Sequence, residues 1–180
     1  MRVIAGAFKG RRLKPPTWDG LRPTSDKLRE TLFNILAPRI SGARVLDGFA
    51  GTGAVGIEAL SRGAAHVTFV DSDHRATALI EQNLASCGIV RGYSIEKAAV
   101  DTLLRSTSRT EPFDIIVLDP PYDFPAMTAV LEAAAQRLSP GGLLVLERAT
   151  RRNPEAPPSL RQTRDVKSGD STLTFYTMAS

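Results

Sequence analysis

The sequence predicts an α/β fold. A seven-stranded, mostly parallel sheet carries helices on both faces and has its last strand antiparallel, and a small N-terminal hairpin and helix precede it. Three observations carry this expectation. From Arg44 onward, short aliphatic runs alternate with helical stretches, the order that builds parallel sheets through βαβ crossovers. Phe113 to Leu118 is an almost continuous apolar run, as a strand buried on both faces must be. The closing runs Leu160–Val166 and Leu173–Met178 flank Gly169-Asp170 with no room for a helix, so they should form an antiparallel hairpin at one edge.

Taken in order, Val3-Ile4-Ala5 and Arg12-Leu13 flank a turn-like Phe8-Lys9-Gly10 and predict a hairpin that Pro15 and Pro16 end. Thr24 or Ser25 is a good N-cap and Asp26 suits a first helical turn. Leu28, Leu32, Ile35 and Leu36 recur at helical spacing, and Pro38 is expected to stop that helix. Val45-Leu46 then runs into Asp47-Gly48-Phe49-Ala50-Gly51-Thr52-Gly53, followed by a helix to about Arg62. His66 to Val70 is a strand ending at Asp71; a helix from Asp73 reaches about Cys87, where Gly88 closes it. Tyr93-Ser94-Ile95 is a weaker strand. Phe113–Leu118 ends at Asp119-Pro120-Pro121-Tyr122, and a helix from about Ala126 to Leu138 follows. Pro140-Gly141-Gly142 turns into the strand Leu143–Glu147, and a Pro/Arg-rich loop spans about 149–160.

At 180 residues the chain suits a single domain, residues 1–180, with 1–40 as a basic extension and 41–180 as the core. Apolar residues at 42% and charged residues at 23% are ordinary for a globular protein. No apolar run approaches the roughly 18 residues that span a bilayer. The start Met1-Arg2-Val3-Ile4-Ala5-Gly6 does not read as a secretory signal. Cys87, the one cysteine, cannot form an internal disulfide, so a reducing, cytoplasmic setting is the expectation; a monomer is expected as well. His66, His74 and Cys87 lie apart without zinc-site spacing, and no metal is expected. The net charge of +4 conceals an asymmetry: residues 1–44 hold ten Lys/Arg against three Asp/Glu, whereas the remainder holds thirteen against sixteen. A basic arm on a slightly acidic body points to a polyanionic partner met by the arm.

Gly51-Thr52-Gly53-Ala54-Val55-Gly56 is a G-x-G-x-x-G between a strand and a helix, and Asp71 follows 20 residues after Gly51. Glycines there let a cofactor approach the backbone, and the acid suits ribose hydroxyls. NAD and S-adenosylmethionine (SAM) both fit the pattern. Two features favour SAM. Asp47 would repel a dinucleotide pyrophosphate but suits a methionine ammonium. The length leaves little room for a dehydrogenase substrate domain. The candidate cofactor residues are Asp47, Phe49, Ala50, Gly51, Thr52, Gly53, Asp71 and Ser72.

Asp119-Pro120-Pro121-Tyr122 follows the most buried strand. Two prolines stiffen the turn and present the Asp119 carboxylate and the Pro120 carbonyl as paired acceptors for a planar exocyclic amine. Tyr122 offers a face on which an extruded base can stack. These four are the candidate catalytic residues.

These motifs resemble those of the class I SAM-dependent methyltransferases, with a Rossmann-like fold, and more narrowly the RsmD family. The resemblance covers nearly the whole chain, including Arg2-Val3-Ile4-Ala5-Gly6, Gly10-Arg11-Arg12-Leu13, Arg22-Pro23-Thr24, Arg29-Glu30-Thr31-Leu32-Phe33-Asn34 and Gly169-Asp170-Ser171. It implies SAM-dependent methylation of guanine N2 in bacterial 16S rRNA on the assembled or assembling small subunit. By the same resemblance Asp47 to Gly53 hold the methionine part of SAM, Asp71 the ribose and Asp119 to Tyr122 the target guanine. The alternatives are adenine-N6 methylation in DNA or RNA, a non-catalytic RNA-binding module, and a dehydrogenase. One departure shows. Relatives usually carry Asp or Asn after the third strand for the adenine amine, and Lys97-Ala98-Ala99 has neither.

Arg11, Arg12, Arg22 and Thr24 are the candidate RNA-binding residues. Arg2, Lys9, Lys14, Lys27 and Arg29 are further cations that can meet phosphates. Trp18 is expected to anchor the arm to the body, and Asp170 to help shape the target pocket.

Overall fold

The structure is a computed structural model and describes residues 1–21, 23–107 and 111–180. The seven strands are β1 (Arg44–Gly48), β2 (His66–Asp71), β3 (Tyr93–Lys97), β4 (Phe113–Leu118), β5 (Leu138–Ala149), β6 (Leu160–Ser168) and β7 (Ser171–Met178). They stand in the order β3-β2-β1-β4-β5-β7-β6. β1 pairs in parallel with β2 and β4, β2 with β3, and β4 with β5. β7 inserts antiparallel between β5 and β6. The chain reverses direction across the sheet between β1 and β4, which opens a crevice at the carboxyl ends of the strands.

Alternate residues along each strand divide between two cores. Val45, Val67, Ile115, Val117, Val145 and Phe175 join one face with α1 (Asp26–Ile40), α2 (Ala54–Ser61) and α3 (His74–Ser86). Leu46, Val70, Ile116, Leu118, Leu144, Leu146 and Tyr176 join the other with α4 (Val100–Arg105) and α5 (Met127–Ala135). The helices therefore cover both faces, as the alternation of elements predicts.

Several local expectations are corrected. Pro38 does not stop α1, which runs on to Ile40. A proline in the last turn removes one backbone bond, and buried Ile40 with the Arg39 Nη1 bond to the Gly141 carbonyl (2.9 Å) holds that turn down. α4 has no legible signal in the sequence, because its single buried stripe, Val100, Leu103 and Leu104, is too short to show a period. α5 ends at Ala135 rather than Leu138, and Pro140-Gly141-Gly142 lies within β5, beside a register shift between Phe113 and Ile115.

The N-terminal hairpin is narrow, with one bridge pairing Arg2 and Arg12 and with Val3 N–H donating to the Arg11 carbonyl (2.9 Å). Buried Glu58 on α2 fastens it, accepting from Ile4 N–H (2.8 Å), Ala5 N–H (3.1 Å) and Arg62 Nε (2.8 Å). Arg29 is no phosphate contact. It is wholly buried beside Glu58, pairs with Asp26 at 3.0 Å and donates to the Arg2 carbonyl. Farther along, the buried Asn83 side chain ties both the Lys14 N–H and carbonyl (2.8 and 3.2 Å) to the Thr52 carbonyl (2.9 Å). The arm is thus fixed onto the glycine turn.

Candidate active site

Register determines which side chains meet. Gly48 pairs with Val70 and with Leu118, and Leu118 pairs with Leu146. Asp71, Asp119 and Glu147 come next along the chain, so Asp119 and Glu147 arrive on neighbouring strands at the crevice, Asp71 stands on the far side of β1 from them, and Asp47 lies just behind. All four line one cavity of about 520 Å³. Phe49, Ala50, Gly51, Thr52, Ser72, Pro120, Pro121, Tyr122 and Thr24 share its wall. Gly53 sits beneath as the left-handed N-cap of α2 (φ 81°).

The glycine turn is built for close approach. A Cβ on Gly51 (φ 58°) would stand 3.1 Å from Leu21 of the arm, and one on Gly56 would stand 2.3 Å from the Phe69 ring. Phe49 is the sole non-glycine among the described residues with positive φ (57°), a strained conformation of the kind that gathers at functional sites. Its ring meets Phe124 edge-on at 5.2 Å, so the two aromatics stand between the glycine turn and the Asp119–Tyr122 turn.

Asp71 is oriented by two backbone donors, Gly51 N–H and Asp73 N–H, each at 2.9 Å. Asp47 is 2% exposed and accepts from Gly56 N–H at 2.9 Å. Burial, reinforced by the charge of Asp71, pushes its carboxyl up to about 8 against that single bond.

Thr24 links the arm to the site. Its Oγ1 lies 3.0 Å from Asp119 Oδ2 and 2.9 Å from Glu147 Oε2. A hydroxyl has one hydrogen, so it can satisfy only one of the two acids at a time. Burial first and the neighbouring Glu147 second raise the Asp119 carboxyl well above the usual range, so the two acids hold a proton between them. Thr24, grouped by sequence with the RNA-facing residues, is buried and sits between the acids.

Other candidates fall elsewhere. Arg11 and Arg12 are exposed on the hairpin. Arg22 lies outside the described residues. Trp18 lines the cavity and takes the Arg75 guanidinium over its ring at 5.0 Å, which anchors the arm on α3. Asp170 is exposed in the β6–β7 turn away from the cavity wall, and its neighbour Ser171 instead meets the Tyr122 hydroxyl. Ala98 N–H, beside the missing adenine-binding acid, donates to the Asp71 carbonyl (3.1 Å). Glu147 and the stretch of wall from Asp19 to Leu21 are not legible in the sequence. The only available signal for Glu147 was an acid closing an apolar strand.

A doubly wound sheet with this order, a glycine turn after β1 and an Asp-Pro-Pro-Tyr turn after β4 defines a class I methyltransferase. Residues 1–177 match the family model described as "Conserved hypothetical protein 95". The chain belongs to that family, the RsmD family. It is 39% identical over 150 residues to YlbH of Bacillus subtilis, covering 82% of each. It is 37% identical over 151 residues to ribosomal RNA small subunit methyltransferase D of Haemophilus influenzae, covering 82% of this chain and 78% of that one. The solved structure of yhhF from Escherichia coli superposes with a TM-score of 0.87 at 32% identity, covering 99% of this chain and 97% of the other.

Proposed function

We propose that this chain methylates the exocyclic N2 of a guanine in small-subunit rRNA, using SAM, on the assembled or assembling particle. The observation that carries the reading is the single cavity in which the glycine turn, with Asp47 and Asp71, faces the Asp119-Pro120 acceptor pair and the Tyr122 ring. The small-subunit rRNA assignment follows the name of the Haemophilus relative.

The site suits SAM. Asp47 is a buried carboxyl with one backbone partner, and a methionine ammonium would supply the positive charge that favours its ionised form. Asp71, already oriented, would take the ribose, and Gly51 and Phe49 would let the methionine approach the backbone. Bound SAM supplies an electrophilic methyl group on a positively charged sulfur and leaves as S-adenosylhomocysteine.

The chain's own residues do the rest. Tyr122 stacks the extruded base, its hydroxyl steadied by Ser171. Asp119 and the Pro120 carbonyl accept the two amino hydrogens, which aims the nitrogen lone pair at the methyl carbon and stabilises the positive charge that grows on nitrogen. The acid pair of Asp119 and Glu147 holds one proton through Thr24 and keeps one ionised carboxylate. Asp119, which already accepts one of those hydrogens, takes the proton shed by nitrogen once the N–C bond has formed, and both acids of the pair are then protonated. The exposed hairpin with Arg11 and Arg12 meets rRNA phosphates and positions the particle without reading sequence.

The test offers labelled SAM to naked rRNA, small-subunit particles and DNA, followed by nucleoside analysis. Label in N2-methylguanosine from particles is expected; label confined to N6-methyladenine overturns the reading. Asp119→Ala should abolish turnover while SAM still binds, and normal turnover in that variant would refute the assigned role.

A further inference from the structure

The acid pair contains one carboxyl more than amine binding requires. Asp119 and the Pro120 carbonyl account for both amino hydrogens, yet Glu147, 8% exposed, is carried to the cavity wall by the Leu118–Leu146 register. Burying a second acid beside the first costs free energy unless it meets a partner. Within the protein the Thr24 hydroxyl, at 2.9 Å, is one of its partners. Thr24 has one hydrogen for two acids that hold a proton between them, so the pair keeps one ionised carboxylate. A carboxylate accepts several hydrogen bonds and donates none. C2 of guanine is flanked by N1 and N3; seated with its 2-amino group on Asp119 and Pro120 and its N1 edge toward β5, the base would set N1 opposite Glu147. Guanine carries a hydrogen there; 2-aminopurine and adenine carry a lone pair.

We infer that Glu147 selects guanine, its carboxylate accepting the base's N1–H while Asp119 and the Pro120 carbonyl take the two hydrogens of the 2-amino group. The inference rests on the guanine-N2 reading above. It makes Glu147 a specificity-determining residue and Thr24 the positioning residue that bridges the two acids. A base with a lone pair at N1 would leave a buried carboxylate facing another acceptor, the mismatch that gives polar sites their largest discrimination.

The experiment uses small-subunit particles reconstituted with rRNA carrying guanosine, 6-thioguanosine or 2-aminopurine riboside at the methylated position, once that position is mapped. All three keep the 2-amino group; 6-thioguanosine keeps N1–H and 2-aminopurine loses it. For the wild-type protein kcat/KM should fall about 100-fold or more on 2-aminopurine and less than about tenfold on 6-thioguanosine. Glu147→Gln, whose amide can donate, should lose at least about tenfold on guanosine and keep or gain on 2-aminopurine, collapsing the ratio. Equal wild-type rates on guanosine and 2-aminopurine overturn the inference, as does an E147Q variant that loses equally on both. If E147Q does not fold, by its melting curve, the wild-type comparison of the two analogues decides alone. No methylation of guanosine itself would take down the functional reading and this inference together.

Discussion

Asp47→Asn should stabilise the ligand-free protein and weaken SAM binding, and the stability effect should depend on pH. In the unfolded chain this carboxyl titrates near 3.8, whereas in the fold burial pushes it up to about 8. A raised carboxyl is a destabilising one. Below pH 4 both states hold the proton and nothing is lost. Between pH 4 and 8 the unfolded chain ionises while the native Asp47 does not, and native stability falls by about 1.4 kcal/mol per pH unit. Above pH 8 the loss is complete and constant. Between pH 5 and 8 the accumulated loss is about 4 kcal/mol if Asp47 alone titrates. Asparagine keeps an oxygen for the Gly56 N–H and has no proton to exchange. At roughly 2–4 °C per kcal/mol for a chain of this size, the melting temperature of D47N minus that of wild type should rise by on the order of 10 °C from pH 5 to pH 8, then level off. SAM binding by calorimetry should weaken roughly 10- to 100-fold, because a charge-assisted hydrogen bond to the ammonium is lost. A melting difference that stays flat with pH would refute the assignment of the raised carboxyl to Asp47. Undiminished SAM affinity would refute its place in the methionine site.

Three further outcomes are expected. Gly56→Ala sets a methyl 2.3 Å from the buried Phe69 ring; overpacking of about 1–3 kcal/mol outweighs the roughly 1 kcal/mol of helix propensity gained, so the melting temperature should drop, and an unchanged one would show that α2 and β2 pack less closely than this. Replacing Arg11 and Arg12 with Gln should reduce the slope of log affinity for rRNA against log salt by about two, with SAM affinity unaltered; an unchanged slope removes the hairpin from the RNA interface. Tyr122→Ala should lower kcat/KM about 10- to 100-fold through lost stacking while Tyr122→Phe retains most activity, and equal losses in the two would assign the effect to the Ser171 contact instead.

The sequence by itself determined the repeating strand-turn-helix order, the glycine turn with Asp71 after it, and the Asp-Pro-Pro-Tyr turn, because each is a local pattern whose period or backbone constraint shows within a few residues. The same locality explains the misreadings. A proline rule could not weigh the anchoring of Ile40 against one lost bond, and α4 is shorter than its own period can reveal. Arg29 reads as one more cation of a basic arm until Asp26 and Glu58 are seen to enclose it. Only the tertiary structure could decide that Asp119 and Glu147, 28 residues apart, stand side by side, since strand register is settled by packing across the sheet. Only there does Thr24 reach between them. A shared proton depends on distances among groups from the arm, β4 and β5, and no spacing along the chain encodes those distances.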